Sequence, residues 1–270
     1  MKFDREAPVK IVMLGAGGTG GHIAPHLYRL LYALDRPVRF IIADGDVVEE
    51  KNLVRQNFIH ADLGENKAKV LAERYSTVFG LETEYIPEFI EDREKLLKLV
   101  TPFRWKLNSY TVSSADFVAG NALEPRYKTE LVILIGAVDN NRSRALCHEV
   151  FGKIETGLVY IDSGNGEHTG QVVCGVRRGG RTLYKPVGGL YPDVLEKTDK
   201  FPTELSCAEA SVSAPQSIVA NVMAASAVVN FVYNILVRGE ISVRYITFST
   251  NTINLRAVIN KKRKTKTKAA

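Results

Sequence analysis

The chain has 270 residues, 45% of them hydrophobic and 24% charged, the balance of an ordinary soluble protein rather than a fibrous or disordered one. Its net charge of +6 is local: Lys261, Lys262, Arg263, Lys264, Lys266 and Lys268 crowd into the C-terminus, and the remaining 30 basic residues match 30 acidic ones. Cys147, Cys174 and Cys207 are scattered, which excludes a disulfide framework and a C-x-x-C zinc site and fits a reducing, cytoplasmic setting.

The segment MKFDREAPVK has no apolar stretch of the kind that marks a signal peptide. Val9 to Leu14 is a short β-branched apolar run, read as a buried strand. It feeds into Gly15-Ala16-Gly17-Gly18-Thr19-Gly20 and then a helical pattern through Leu27, Leu30 and Leu31. Val38 to Ala43 is a second strand, ending at Asp44. A helix is expected over 66–79, a third strand over 81–86 and a charged helix over 92–99. Residues 101–130 break the rhythm and read as an insertion over one edge of the sheet.

Leu131 to Val138 is apolar throughout, as expected of a central parallel strand. A helix over 141–151 and a strand over 159–162 follow. The alternation predicts an α/β fold with a mostly parallel sheet and helices on both faces. Beyond residue 165 the pattern turns antiparallel: an alternating stretch over 171–177, a Gly/Pro-rich stretch, a long helix from about 215 to 236, and strands near 244–249 and 254–259. The apolar run from Ile218 to Val237 is interrupted by Asn221, Ser226, Asn230 and Asn234, favouring a buried helix over a membrane span. Residues 261–270 read as a disordered basic tail, either solubilising or attracted to nucleic acid or anionic lipid.

A strand, a glycine loop and a helix in succession place backbone N–H groups against phosphate oxygens. Asp44, at the end of the next strand, is placed to receive ribose hydroxyls. Those features alone suit a dinucleotide as well as ATP. The following segment, DGDVVEEKNLVRQNF, sets Asp46, Asn52, Arg55 and Gln56 beyond the strand end, and Lys67 opens the next helix. Converging Arg and Lys suit a triphosphate whose charge must be neutralised before an anion attacks it. Asp139 and Asn140 stand at the carboxyl end of the most apolar strand, and an aspartate beside a triphosphate is a Mg²⁺ ligand.

Together, GAGGTG, DGDVVEEKNLVRQ, Lys67 and VDNNRSR resemble the adenylation domain of the ThiF/MoeB/HesA family, the bacterial relatives of ubiquitin-activating enzymes, and within it the ThiF-like proteins of the plasmid-associated PRTRC system. The likeness continues through DSGNGEHTGQVV and LSCAEASVSAPQSIVANVMAA. It implies a Rossmann-like ThiF/MoeB fold over residues 1–260, extended by antiparallel strands, and a homodimer.

The implied activity is ATP- and Mg²⁺-dependent adenylation of the C-terminal carboxylate of a small ubiquitin-like or sulfur-carrier protein. Alternatives are a peptide or modified tRNA nucleoside carboxylate, or an interaction protein that binds ATP without turnover. The nucleotide site would comprise Gly15, Gly17, Gly18, Gly20, Asp44, Asn52, Arg55, Gln56, Lys67, Asp139 and Asn140. Asp46 and Arg144 would support it, Arg144 through the D-N-x-x-x-R pattern.

Arg55, Lys67 and Asp139 form the expected catalytic set. Cys207 matches the family's candidate cysteine, a thioester or persulfide carrier or else a small packed residue, while Cys147 and Cys174 read as buried. Relatives with two C-x-x-C pairs hold zinc; this chain lacks those pairs, so no zinc is expected. His22 and His26, four apart with no third ligand, do not suggest a metal. Relatives also carry an N-terminal arginine that reaches the partner subunit's ATP, and Arg5 is the one arginine before the first strand.

Overall fold

The computed structural model describes residues 1–111, 124–196, 199–205 and 216–259. The expectations for Cys207 and for the basic tail therefore lie outside the described residues. Strands β1 (Val9–Leu14), β2 (Val38–Ala43) and β3 (Thr83–Ile86) pair in parallel with β1 innermost. On its other side β1 pairs in parallel with β6 (Leu131–Gly136), and β6 with β7 (Gly157–Asn165).

The sheet then turns antiparallel through β8 (Thr169–Arg178), β10 (Val243–Ser249) and β11 (Asn254–Ile259), with β9 (Arg181–Tyr184) also on β8. The order is β11-β10-β8-β7-β6-β1-β2-β3. It matches the expected mostly parallel sheet with an antiparallel second half.

Side chains alternate across β1 and so define two cores. Ile11 and Met13 face helices α1 (Gly18–Tyr32), α2 (Lys67–Phe79) and α6 (Ile218–Tyr233). Val12 and Leu14 face α3 (Arg93–Val100), α4 (Asn141–Lys153) and the short α5 (Val187–Leu190). Caps set the helix starts. Asn66, Asp92, Asn140 and Ser217 each accept a backbone N–H from three residues on, satisfying donors that the first turn leaves open. Gly80, in the left-handed region at φ 66°, ends α2.

The 101–130 segment departs from expectation. Strands β4 (Arg104–Thr111) and β5 (Glu124–Thr129) form a separate antiparallel ribbon, hydrogen-bonded to no strand of the main sheet among the described residues. Its root sits beneath the middle of the sheet rather than over an edge. Glu130, buried, accepts the Phe103 N–H at 2.7 Å and the Trp105 indole at 3.0 Å, and pairs with Lys10 of β1 at 3.2 Å. A buried carboxylate needs that many partners. Sequence reasoning saw no period here because a two-stranded ribbon has little core of its own to bury.

The long apolar helix lies against α1, β7 and β8, burying Ala220, Asn221, Ala224, Ala225, Val228, Phe231 and Val232. By length and composition alone it meets the requirement for crossing a membrane, but half of its most apolar stretch is buried in the protein.

Candidate functional site

The order of strands reverses between β1 and β6, where chains leave the sheet in opposite directions and open a crevice at the carboxyl ends. A cavity of about 570 Å³ occupies that crevice. Gly15, Gly17 and Gly18 form one wall. Gly15 has φ +93°, and a side chain there would run into the Ala137 carbonyl, so the turn out of β1 requires glycine. Gly17 precedes α1 without capping it through a side chain, leaving the helix N-terminus open toward the cavity.

Asp44 ties this loop to β2. Its Oδ2 accepts the Ala16 N–H at 2.6 Å and its Oδ1 accepts the Asp46 N–H at 2.9 Å. Burial and the neighbouring Asp46 push its pKa up to about 6, against the pull of Lys67 and of the two backbone donors. A carboxylate has about four acceptor sites, so about two remain unused at the cavity wall.

Lys67 reaches the cavity from the first turn of α2, its Nζ 2.8 Å from Asp46 Oδ2. Asn66 fixes that turn, capping α2 while its Nδ2 donates to the Asp44 and Asp46 carbonyls at 2.7 and 3.1 Å. Arg55 crosses the cavity mouth to Gln216, with Nη1 2.9 Å from Oε1. Gln56 lies against Gly17.

Asp139, Asn140 and Arg144 line the opposite wall. Asn140 caps α4 by accepting the Ser143 N–H. Arg144 donates from Nη2 to the Val138 carbonyl at 2.7 Å and from Nη1 to Asn141 Oδ1 at 3.1 Å. Its Nε stands 3.5 Å from the buried Asp162 carboxylate, which also accepts the Tyr160 hydroxyl at 2.8 Å. Desolvation raises the Asp162 pKa despite the Arg144 charge.

The structure therefore gathers Gly15, Gly17, Gly18, Asp44, Asp46, Arg55, Gln56, Lys67, Asp139, Asn140 and Arg144 around one space. Two expected ligands fall elsewhere. Gly20 is spent on packing: a side chain there would collide with the Gly15 carbonyl. Asn52 is buried away from the cavity, its Oδ1 accepting the Glu49 N–H and its carbonyl accepting the Arg55 and Gln56 N–H groups. It shapes the turn that presents Arg55. Arg5 packs against Gly239 and does not line the cavity.

Other residues had no site role in the sequence reading. Phe89 lies over Gly45 and lines the cavity. Ser163 and Asn165 arrive from the end of β7, and Gln216 from just before α6. Asn221 registers in the sequence only as an interruption of an apolar run, and a lone polar residue at a fully buried helix position was the available signal. Apart from His148 Nδ1, the buried side-chain polar atoms without a hydrogen-bond partner among the described residues are Gln56 Oε1, Arg144 Nε, Asp162 Oδ2, Ser163 Oγ and Asn221 Nδ2. Arg144 Nε and Asp162 Oδ2 face each other at 3.5 Å as an ion pair, and the other three belong to the cavity wall or to a residue packed on it. Such atoms are costly unless a ligand or water meets them.

A model of the ThiF family matches residues 5–269. The chain belongs to the ThiF family. No curated protein matches it in sequence. The fold is similar to that of PaaA, with a TM-score of 0.59 and 17% identity over 94% of this chain and 65% of that one. It is equally similar to Escherichia coli MccB solved with ATP, with a TM-score of 0.59 and 16% identity over 95% of this chain and 65% of MccB. MccB solved with AMPCPP and MccA gives a TM-score of 0.58 and 16% identity over 94% and 64%. The ThiF-family chain thus spans just under two thirds of the length of these proteins, and shares with them the ThiF/MoeB adenylation fold.

Proposed function

We propose that this ThiF-family chain adenylates a carboxylate with ATP, and that its acceptor is the C-terminus of a small ubiquitin-like or sulfur-carrier protein. One observation carries the reading: the open N-terminus of α1, the cations Arg55 and Lys67, and the carboxylate Asp139 converge on one cavity at the carboxyl ends of the sheet. Open backbone donors with two cations suit a polyphosphate.

The acceptor carboxylate is ionised at neutral pH, so no general base is required. Its oxygen attacks the α-phosphorus, the bond from that phosphorus to the bridging oxygen breaks, and pyrophosphate leaves with the electron pair. Arg55 and Lys67 neutralise charge on the leaving group, while the loop, Asp44 and Asn140 hold the reactants in line.

Asp139 fits a Mg²⁺ ligand, since it lines the cavity and forms no ion pair among the described residues, and a nucleotide-bound magnesium takes one or two carboxylates with phosphate and water. No cluster of three or more metal-ligating side chains occurs among the described residues. Mg²⁺ on Asp139 would supply charge neutralisation at the phosphates.

A homodimer belongs to this reading and is supported by the exposed apolar side of α6, with Ile218, Val219, Val222 and Tyr233. A second acceptor, the C-terminus of a free peptide, keeps the same chemistry; the fold shared with MccB, solved with ATP and with MccA, supports it.

ATP–pyrophosphate exchange tests the proposal. Exchange that requires a small-protein fraction of the host supports the first acceptor, and stimulation by short peptides supports the second. Exchange that requires tRNA, or ATP binding with no exchange under any addition, overturns both.

A further inference from the structure

Asn221 is wholly buried in the first turn of α6 and is held in a cluster with Asn165 and Thr19. Asn165 Nδ2 donates to its Oδ1 at 3.0 Å, and the one Thr19 hydroxyl proton goes to Asn165 Oδ1 at 3.0 Å, leaving Thr19 Oγ1 3.5 Å from Asn221 Oδ1. With its oxygen committed, the amide orientation follows: Nδ2 turns away from Asn165. It has no acceptor among the described residues.

Where it points is set by Gly18. A side chain on Gly18 would collide with Asn221 Nδ2, and the same position lies 2.8 Å from Arg55 Nη1. The amide and the guanidinium therefore close from two sides on the glycine that opens α1. Three kinds of donor gather there: helix N–H groups, a cation and a neutral amide with an unused N–H. Arg55 Nη1 is met by Gln216 Oε1, but the Asn221 N–H has no acceptor among the described residues, and a buried donor left so is desolvated at a cost. An anion placed beside it relieves that cost.

We infer that Asn221 is a phosphate-site residue, its Nδ2 serving as a neutral donor to the polyphosphate received by the α1 N-terminus and Arg55. This rests on the reading of the cavity as an ATP site. Thr19 and Asn165 act as positioning residues that keep the amide nitrogen facing Gly18. The glycine is needed at position 18 because the amide occupies the space of its side chain.

Isothermal titration of the full chain with ATP and with adenosine tests it, with melting temperatures recorded alongside. Asn221→Ala is expected to lower ATP affinity about tenfold, the loss of one hydrogen bond to a charged group, and to leave adenosine within twofold. Asn221→Asp keeps the oxygen that Asn165 meets and replaces the donor with an acceptor, so its ATP loss should exceed that of Asn221→Ala.

If Asn221 served packing alone, the isosteric Asn221→Asp would be the milder variant and ATP and adenosine would weaken together; either result overturns the inference. Whichever variant retains a wild-type melting profile decides. Wild-type protein that binds no ATP overturns both the inference and the ATP site, whereas wild-type ATP binding unaltered by the variants overturns the inference alone.

Discussion

Lys67 Nζ donates to the Asp46 carboxylate across 2.8 Å, with the lysine buried and the aspartate at the surface. The pair holds a cation inward against the cavity while its counter-charge sits toward solvent. Polyphosphate arriving at Lys67 competes with one exposed carboxylate, a weak rival in high dielectric. Lys67→Gln should therefore weaken ATP binding about 10- to 100-fold, the range for a hydrogen bond to a charged group. Direct titration checks this, and affinity within threefold of wild type would remove Lys67 from the phosphate site.

Asp44 gives the site an acid limit. Its pKa stands at about 6, above the ordinary 3.8, because burial and Asp46 disfavour the ionised form. In the proposed ATP site the ionised carboxylate above about pH 6 would accept from ribose hydroxyls; below it, protonation reduces that acceptor capacity. ATP affinity is expected to fall as pH drops through about 6. Asp46→Asn removes one of the two raising causes and should move the fall to lower pH. Stability runs the opposite way: a folded pKa above the unfolded one means ionised Asp44 costs stability above about pH 6, a cost relieved as pH falls toward 4. Affinity measured from pH 5 to 8, beside melting curves, separates the two trends.

Removing the Asp139 carboxylate isolates chemistry from binding. Asp139→Ala should reduce pyrophosphate exchange by on the order of a hundredfold or more, since it withdraws charge organisation at the reacting phosphates. ATP affinity without added metal should stay within a few fold. Undiminished exchange would remove Asp139 from the mechanism.

Glu130 is a stability residue remote from the cavity. Its side chain is fully buried and holds Lys10, Phe103 and Trp105. Glu130→Ala leaves Lys10 buried with, among the described residues, only the Thr101 carbonyl as partner, and should cost about 3–5 kcal/mol. Lys10 and Leu131 begin near the amino ends of β1 and β6, opposite the cavity, so ATP affinity of the folded fraction should be unchanged. Calorimetry with ATP titration at low temperature checks both halves.

Burial makes two thiols unreactive. Cys147, pushed up to about 12 by desolvation and Asp162, and Cys174, raised further by desolvation alone, lie inside the two cores. Alkylation of native protein followed by mass spectrometry should leave both unmodified, and denaturant should expose both.

The sequence by itself determined the parallel core and most of the cavity wall. β1, the glycine loop, Asp44 and Lys67 follow one another in a single βαβ stretch, so local order dictates their neighbourhood. β6 carries Asp139 and Asn140 to the same edge because apolar strands pair centrally and loops leave their carboxyl ends. Tertiary structure alone decided the rest. Asn52 has the residue type of a phosphate ligand, but it does not line the cavity, and its carbonyl and side-chain oxygen are engaged in the turn bearing Arg55. Asn165, Gln216 and Asn221 lie far along the chain from the partners they meet, and no pattern in the sequence records which face of α6 packs on α1. The ribbon of β4 and β5 is tied at its root by the buried Lys10–Glu130 pair, and pairing between residues 120 positions apart leaves no local periodicity to read. Short-range periodicity writes secondary structure into sequence; side chains that meet across the sheet are chosen by packing, and only the folded chain shows them.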